Sequence, residues 1–311
     1  MTSAYDGPER RSGIDRRHSK RRTGDRFAAD SWRFSGQPNR RSGEDRRDSS
    51  ERRKFRRAEI ASTLPLPEVA RGPDKTAAAI GVIENRQLRV VYQPIYRLKT
   101  GHVFGYEALA RVDSPEFDTL PELYQAASAA GHVGELGRLH RSQAIKHCPN
   151  QPLFINIFPS EFDYGLLVQP DDAIFRHQQP VILEVTESIP LEYFDQCHDV
   201  IRELRKKGIQ LAIDDLGAGY SNLKYIADLV PDFVKLDRSL IQGVEEGNRQ
   251  AKLLRMMVRL CKNMGARVIA EGIETIRELV VAERAGVDFC QGFLLGRPDP
   301  SPGGESWPAF H

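Results

Sequence analysis

Two adjacent carboxylates, Asp214 and Asp215, follow an apolar run and precede a glycine-rich turn in the stretch GIQLAIDDLGAGYSNL, residues 208–223. The apolar run is typical of a buried strand, and the glycines are typical of a turn. Neighbouring carboxylates repel each other unless a cation lies between them, which favours a divalent-cation site. A helix cap followed by a turn fits the same motif when it is taken alone. The choice depends on whether other strands end in similar residues.

Apolar segments alternate with helical segments from residue 89 onward. The predicted strands are RVVYQPI, GHVFGYEALARV, QPLFINI, PVILEVTE, GIQLAIDD, PDFVKLD, ARVIAEGIE and VDFCQGF. This pattern predicts an α/β fold, a TIM-like (β/α)8 barrel, in which the ends of the parallel strands share one mouth. The polar residues read from these strand ends are Glu107, Asn156, Glu184, Glu187, Asp214, Asp215, Lys235, Glu271, Glu274 and Gln291.

The charge gathered at this mouth limits the chemistry. Its five carboxylates are Glu107, Glu184, Asp214, Asp215 and Glu271, and Lys235 is the one cation read from the strand ends. Without bound cations such crowded carboxylates would hold protons. All the ligands are oxygens, which favours Mg²⁺ or Mn²⁺ over zinc. Two such ions can activate water and stabilise both oxygens of an in-line phosphoryl displacement, so the residues predict metal-assisted phosphoester hydrolysis.

A series of short motifs resembles the EAL-domain cyclic di-GMP phosphodiesterases, over about residues 75–298. The motifs are QPI at 93–95, EALAR at 107–111, FINI at 154–157, EVTE at 184–187, DDLGAGYS at 214–221, KLD at 235–237, EGIE at 271–274 and QGF at 291–293. The resemblance implies a bacterial signalling hydrolase. Its TIM-like barrel would hydrolyse one phosphodiester of cyclic di-GMP to give linear pGpG and so lower cyclic di-GMP signalling.

The resemblance also implies a role for each matching residue. The implied ligands of two Mg²⁺ or Mn²⁺ ions are Glu107, Asn156, Glu184, Asp214, Asp215, Glu271 and Gln291. The implied catalytic residues are Lys235, which positions the attacking water, and Glu271, which is either a ligand or the general base. The implied substrate-binding residues are Gln93, Leu109, Arg111 and Pro298, and Glu187 is the implied anchor of the loop after the Asp pair. The family also implies a homodimer formed through the barrel.

Two positions depart from the family pattern. Leu216 stands where a Phe is usual after the Asp pair, and Val112 stands where a Trp is common after the EALxR arginine. Neither position supplies a metal ligand, so we expect the chemistry to be retained. The alternative is a catalytically weak cyclic di-GMP receptor or scaffold that signals through its N-terminal arm. A metal-dependent barrel of the enolase kind is disfavoured by the EALxR, EVTE and KLD motifs.

The first sixty residues differ from the rest in composition. Residues 1–60 carry 18 Lys and Arg against 10 Asp and Glu, whereas residues 61–311 carry 27 against 33. The segment PERRSGIDRR returns thirty residues later as PNRRSGEDRR, and aliphatic residues are scarce. Such an arm buries too little apolar surface to fold alone, so we predict disorder. The predicted organisation is the arm at 1–60, a Pro-rich linker at 61–73, the barrel at 74–300 and a tail at 301–311.

The arginines of this arm suit an anionic partner, such as nucleic acid, anionic lipid, a guanine nucleotide or an acidic protein. A solvated tail of mixed charge is the other interpretation. The N-terminus lacks an apolar signal segment, and no run of about 18 apolar residues occurs in the chain. The four cysteines are widely spaced, as suits a reducing compartment. We therefore expect a cytoplasmic protein without a transmembrane segment.

Overall fold

A closed barrel of eight strands, in the order β1 to β8, forms the body of the protein. The computed structural model describes residues 75–186, 194–218, 224–304 and 306–308. The predicted TIM-like α/β barrel is confirmed. The strands are β1 (Leu88–Arg97), β2 (Val103–Val112), β3 (Leu153–Asn156), β4 (Val181–Thr186), β5 (Gln210–Leu216), β6 (Phe233–Leu236), β7 (Arg267–Ala270) and β8 (Phe289–Cys290).

Helices cover the outside of the barrel. They are α1 (Thr76–Glu84), α2 (Leu120–Ala129), α3 (Val133–His147), α4 (Phe194–Lys206), α5 (Lys224–Leu229), α6 (Arg238–Ile241), α7 (Arg249–Asn263) and α8 (Ile276–Ala285). Three 3-10 helices, Pro159–Tyr164, Leu166–Val168 and Ala173–Phe175, lie between β3 and β4. Within the described ranges, no helix combines the length and the apolar character needed to cross a membrane.

The first strand departs from the predicted repeat of βα units. It pairs antiparallel with both β2 and β8, whereas the other neighbouring strands pair in parallel. The physical reason is the connection between β1 and β2, which is only residues 98–102 long. Parallel strands need a crossover of a dozen or more residues, so a connection this short can form only a hairpin.

The barrel interior is built in two layers by a period of two residues. The lower layer is apolar and consists of Ile95, Phe154, Ile182, Ala212, Phe233, Ile269 and Phe289. Alternate residues of a strand point to the same face, so the residue two positions further along each parallel strand also points inward. At these positions stand Asn156, Glu184, Asp214, Lys235, Glu271 and Gln291. An apolar floor therefore carries a polar layer nearer the mouth.

A β-bulge adapts β2 to the same two layers. Ile95 is opposite Gly105 and Tyr96 is opposite Val103, which leaves Phe104 as an extra residue. Three positions separate Phe104 from Glu107, so a regular strand would turn one of the two side chains outward. With the bulge, Phe104 packs onto the apolar floor, 4.5 Å from Phe289 between ring centroids, while Glu107 is buried in the polar layer.

The chain after β8 packs against the β1–β2 hairpin. Tyr92 and Asp299 exchange backbone hydrogen bonds of 2.7 and 3.0 Å, and the Trp307 backbone N–H donates to the carbonyl of Gly101 at 2.9 Å. A Cβ on Gly101, which has a φ of +67°, would lie 2.7 Å from the Trp307 ring. The Trp307 ring also lies 6.3 Å from the ring of Tyr96. The described part of the expected tail is therefore a strap on the barrel.

Candidate active site

Lys235 of β6 lies at the centre of the polar layer and is buried. Its Nζ is 2.9 Å from Glu184 Oε1 and 3.1 Å from Asp214 Oδ1. The same nitrogen is 2.8 Å from Glu271 Oε1 and 3.5 Å from Glu107 Oε2. Three strands, and the residue that directly follows β7, thus direct carboxylates at one ammonium. The surrounding carboxylates raise the pKa of Lys235 well above its ordinary value, despite the opposing effect of burial.

The carboxylate of Glu107 is held by two side-chain amides. Asn156 Nδ2 donates to Glu107 Oε1 at 3.2 Å, and Gln291 Nε2 donates to Glu107 Oε2 at 2.7 Å. Burial by itself would raise the pKa of Glu107. The charge of Lys235 and these hydrogen bonds outweigh burial, so the pKa of Glu107 is lowered. This carboxylate is therefore ionised and fixed in orientation.

The other carboxyls of the layer are harder to ionise. Burial raises the pKa of Glu184 well above its ordinary value. The charge of Lys235 lowers this pKa, whereas the charges of Glu107 and Asp214 raise it further. Burial also raises the pKa of Glu271 well above its ordinary value and raises that of Asp214. One ammonium does not offset so many buried carboxylates. The layer must take up protons or further cations to be stable.

Asp215 reaches the same site through an unusual backbone conformation. Adjacent residues of a strand point to opposite faces, so Asp214 and Asp215 would normally diverge. Asp215 has a φ of 59°, in the left-handed region, and the register with β6 shifts between Ile213 and Leu216. Its backbone N–H donates to Asp214 Oδ1 at 2.9 Å. Burial, followed by the charge of Asp214, raises the pKa of Asp215 to about 6.

These carboxylates form two overlapping groups with the spacing of metal ligands. Glu107, Glu184 and Asp214 offer oxygens within 4.8 Å of one another, and so do Asp214, Asp215 and Glu271. Within the described ranges, Glu184 Oε2 and Gln291 Oε1 are buried without a hydrogen-bond partner. A buried oxygen left unsatisfied is costly, and a divalent cation would satisfy it. The donor set is entirely oxygen and fits two hard cations that share Asp214.

A cleft of about 310 Å³ opens onto this layer. Its wall includes Asp237 and Phe293, which belong to the KLD and QGF motifs but had no assigned role, and Arg238, which lies outside the motifs. Phe293 is half exposed, and Arg238 is an exposed cation at the rim. Asp237 and Arg238 follow β6 directly, and Phe293 lies three residues after the end of β8. Their position just beyond the strand ends is the signal that could have identified them.

The predicted substrate-binding residues occupy different surroundings. Gln93 lies opposite Glu107 in the hairpin, lines the cleft and donates from Nε2 to the carbonyl of Gly296 at 3.1 Å. Arg111 is exposed, and its Nη1 donates to the carbonyl of Ala110 at 2.8 Å. It is not among the described residues that line the cleft.

Leu109 lies two residues beyond Glu107 on the same face of β2 and, like Pro298, is half-buried.

The structure corrects the predicted place of Glu107 within its strand. Glu107 lies in the middle of β2 rather than at its end, because the antiparallel hairpin extends this strand to Val112. Glu187, the predicted loop anchor, lies outside the described residues, as do residues 219–223 of the loop after the Asp pair.

Comparison with known proteins points to one family. The EAL domain family matches residues 76–298. The bifunctional diguanylate cyclase/cyclic di-GMP phosphodiesterase MucR of Pseudomonas aeruginosa is 30% identical over 233 residues, which are 70% of this chain and 34% of MucR. The cyclic di-GMP phosphodiesterase PdeR of Escherichia coli is 29% identical over 238 residues, 72% of this chain and 36% of PdeR. The chain thus spans about a third of the length of these curated relatives.

A solved structure shares the arrangement of the barrel. Klebsiella pneumoniae BlrP1 in a complex with manganese and cyclic di-GMP superposes with a TM-score of 0.62 and 29% identity, over 72% of this chain and 59% of BlrP1.

Proposed function

The chain belongs to the EAL domain family, and we propose that it hydrolyses cyclic di-GMP to linear pGpG and thereby lowers cyclic di-GMP signalling. The observation that carries this proposal is the buried carboxylate layer at the base of the cleft. Four carboxylates lie within 3.5 Å of a single ammonium, that of Lys235. A site that negative would repel a phosphodiester unless further cations compensate it.

The proposed cofactors are two Mg²⁺ or Mn²⁺ ions. When bound, they would supply Lewis-acid activation of water and neutralise charge on the phosphoryl oxygens. Their proposed ligands are Glu107, Asn156, Glu184, Asp214, Asp215, Glu271 and Gln291. The support for this set is the close spacing of the carboxylate oxygens, together with Glu184 Oε2 and Gln291 Oε1, which have no hydrogen-bond partner in the described part of the chain.

Lys235 and Glu271 are the proposed catalytic residues. Lys235 Nζ donates a hydrogen bond to the attacking water and fixes the surrounding carboxylates. Glu271 accepts the proton of that water, or acts as a ligand, as its position 2.8 Å from Lys235 allows. The water oxygen forms a bond to phosphorus as the bond from phosphorus to the 3′ oxygen breaks, and the 3′ oxygen takes a proton from solvent.

The substrate is proposed to contact Gln93 within the cleft and to extend beyond the cleft lining to Leu109, Arg111 and Pro298. Gln93 is fixed beside Glu107 by its hydrogen bond to Gly296, so it can orient the ligand without reorganisation. Arg111 is exposed and has further N–H donors, with which it can hold a phosphate as a bidentate fork. Glu187 is proposed to anchor the loop that follows Asp215.

The decisive experiment is hydrolysis of cyclic di-GMP by the purified chain with Mg²⁺, Mn²⁺, Ca²⁺ or EDTA, with the products identified. We expect pGpG with Mg²⁺ or Mn²⁺ and none with EDTA. Glu107→Gln should lower kcat by at least about a hundredfold, because it replaces the charged carboxylate, a proposed metal ligand held by Asn156 and Gln291, with a neutral amide. Glu135→Gln, at an exposed carboxylate of α3, is the matched control. Tight binding of cyclic di-GMP without turnover would instead support the receptor alternative.

A second copy of the chain is the next proposed partner, and the proposal is based on exposed apolar residues. We propose a homodimer through the barrel, using a stripe of α7 and the residue after it where Leu253, Met256, Leu260 and Met264 are 37–69% exposed. Exposed apolar stripes of this kind mark association surfaces. Met256→Glu should convert a dimer into a monomer in light scattering, and an unchanged mass would exclude this face.

The basic arm, residues 1–60, lies outside the described residues, and its proposed anionic partner rests on its charge alone. The cytoplasm is the proposed location.

A further inference from the structure

Two arginines lie together at the end of the barrel opposite the carboxylate layer. Arg97 is the last residue of β1 and Arg267 is the first residue of β7. The Arg97 guanidinium carbon lies 4.5 Å from the ring centre of Phe104, and that of Arg267 lies 6.0 Å from the same centre. Arg267 also lies 3.8 Å from the ring centre of Phe233. The aromatic floor therefore fixes both guanidinium groups on one side of the barrel.

Among the described residues, this pair of cations lacks a matching anion. In the part of the chain that the structure describes, no carboxylate oxygen lies within 4.0 Å of either guanidinium. The carboxylates whose charges act on Arg267 are those of Asp232 and Asp288, and both accept hydrogen bonds from other groups. Asp232 Oδ2 accepts the Leu211 N–H at 3.0 Å. Asp288 Oδ2 accepts the Val268 N–H at 2.9 Å, and its Oδ1 pairs with Lys262 at 2.7 Å.

The consequence is seen in the pKa of Arg267, which is lowered from its ordinary value. Burial is the largest cause of this decrease. The charge of Arg97 also lowers the pKa, whereas the charges of Asp232 and Asp288 raise it. Arg267 is half-buried and Arg97 is exposed, so an ion from solvent can reach both. Two guanidinium groups that repel each other beside a low-dielectric floor form a site prepared for an anion.

The position of the pair gives such an anion a structural effect. Arg97 and Arg267 lie on the strands that flank β8, which contributes only Phe289 and Cys290 to the sheet. Two residue pairs join β8 to β1, and two join it to β7. This is the shortest described seam in the barrel. β7 leads into Glu271 and β1 carries Gln93, so the seam supports two walls of the candidate active site.

We propose that Arg97 and Arg267 form a binding site for a tetrahedral oxyanion of the phosphate class, which bridges β1 and β7 across β8. Guanidinium groups bind phosphate through paired N–H donors, and the stacking on Phe104 and Phe233 fixes their planes before the ion arrives. The ring faces are already covered by the guanidinium groups. The site therefore recognises the phosphate itself, either as free phosphate or as the terminal phosphate of a nucleotide.

Thermal unfolding of the full chain in EDTA tests this site without metal in the acidic layer. Inorganic phosphate at 10 mM is compared with chloride at equal ionic strength, and 5′-GMP at the same concentration distinguishes a nucleotide phosphate from the free ion. We expect phosphate to raise Tm by about 2–5 °C. Arg97→Gln should abolish this shift, and so should Arg267→Gln. Arg259→Gln, at an exposed arginine of α7, is the matched control and should keep it.

The readout is the shift caused by phosphate, so a general loss of stability in a variant does not imitate the result. Because Arg97 is exposed, Arg97→Gln is the variant expected to fold even if Arg267→Gln does not. Broadening of the ³¹P resonance of phosphate by wild-type protein, and its loss in Arg97→Gln, would support the site independently. An equal shift in wild type and Arg97→Gln, or no shift in wild type, would overturn it. None of these outcomes depends on phosphodiesterase activity.

Discussion

Glu184 offers a test that separates a metal ligand from a structural carboxylate. Glu184 is fully buried, its Oε2 has no hydrogen-bond partner in the described ranges, and it shares the charge of Lys235 with three other carboxylates. Its pKa lies well above the ordinary value, so the folded state disfavours its ionised form. Glu184→Gln removes that penalty and keeps the shape of the side chain. The metal-free variant should therefore be at least as stable as wild type at pH 8.

The response to metal should change in the opposite direction. Mg²⁺ at a hundred times its Kd stabilises the wild type by about 2.7 kcal/mol, which corresponds to a rise in Tm of about 5–10 °C for a barrel of this size. If the loss of one carboxylate ligand weakens Mg²⁺ binding a hundredfold, the gain falls to about 0.4 kcal/mol and about 1 °C. Hydrolysis of cyclic di-GMP should fall with it. Differential scanning calorimetry with EDTA or Mg²⁺ measures both effects.

Glu161 provides the matched control. It is as buried as Glu184, but its Oε2 pairs with Arg141 Nη1 at 2.5 Å and its Oε1 accepts the Phe158 N–H at 3.0 Å. Glu161→Gln should cost about 3 kcal/mol, because it breaks a buried ion pair. It should leave the Mg²⁺ shift unchanged. A Glu184→Gln variant that loses stability without metal and keeps the full Mg²⁺ shift would refute the assignment of Glu184 as a ligand.

Three further perturbations test other parts of the chain. The pKa of Asp215 is raised to about 6 from 3.8, so metal-free protein should lose stability as pH rises between these values. Asp215→Asn should reduce this pH dependence of the free energy of unfolding, measured by urea titration. An unchanged pH dependence would show that Asp215 is not its source. The pKa of buried His140 is lowered to about 4, so unfolding should become easier as pH falls from 6.5 to 4, by about 3 kcal/mol. His140→Gln should remove that dependence, and its persistence would assign it elsewhere. Trp307→Ala should lower stability by about 2 kcal/mol through lost packing on Tyr96 and Gly101, and an unchanged Tm would show that the strap contributes nothing.

Much of the polar layer could be predicted because strands repeat every two residues. Phe154 and Asn156, or Phe233 and Lys235, follow the same rule of an apolar residue and then a polar one on the inward face. A period of two is a property of the strand itself, so the sequence was enough to bring these side chains to one layer. The short motifs then predicted the EAL domain family, and the family match over residues 76–298 confirms that prediction.

Other features needed the folded barrel because they depend on contacts between distant strands. The closure of the barrel by pairing of β1 with β8 joins strands nearly two hundred residues apart in the chain. The bulge at Phe104 and the left-handed Asp215 exist because neighbouring strands set the register. No local pattern encodes these adjustments.

The sequence by itself determined what donors the strand residues offer and, outside the bulge in β2 and the turn at Asp215, which side chains face inward, because alternation and residue type are local properties. The tertiary structure decided how their charges interact. It surrounds Lys235 with four carboxylates, gives Glu107 two amide donors and leaves Glu184 Oε2 without a hydrogen-bond partner among the described residues. It also brings Arg97 and Arg267 together, which lie far apart in the chain. Electrostatic energy depends on distance and burial in space, and only barrel closure fixes these.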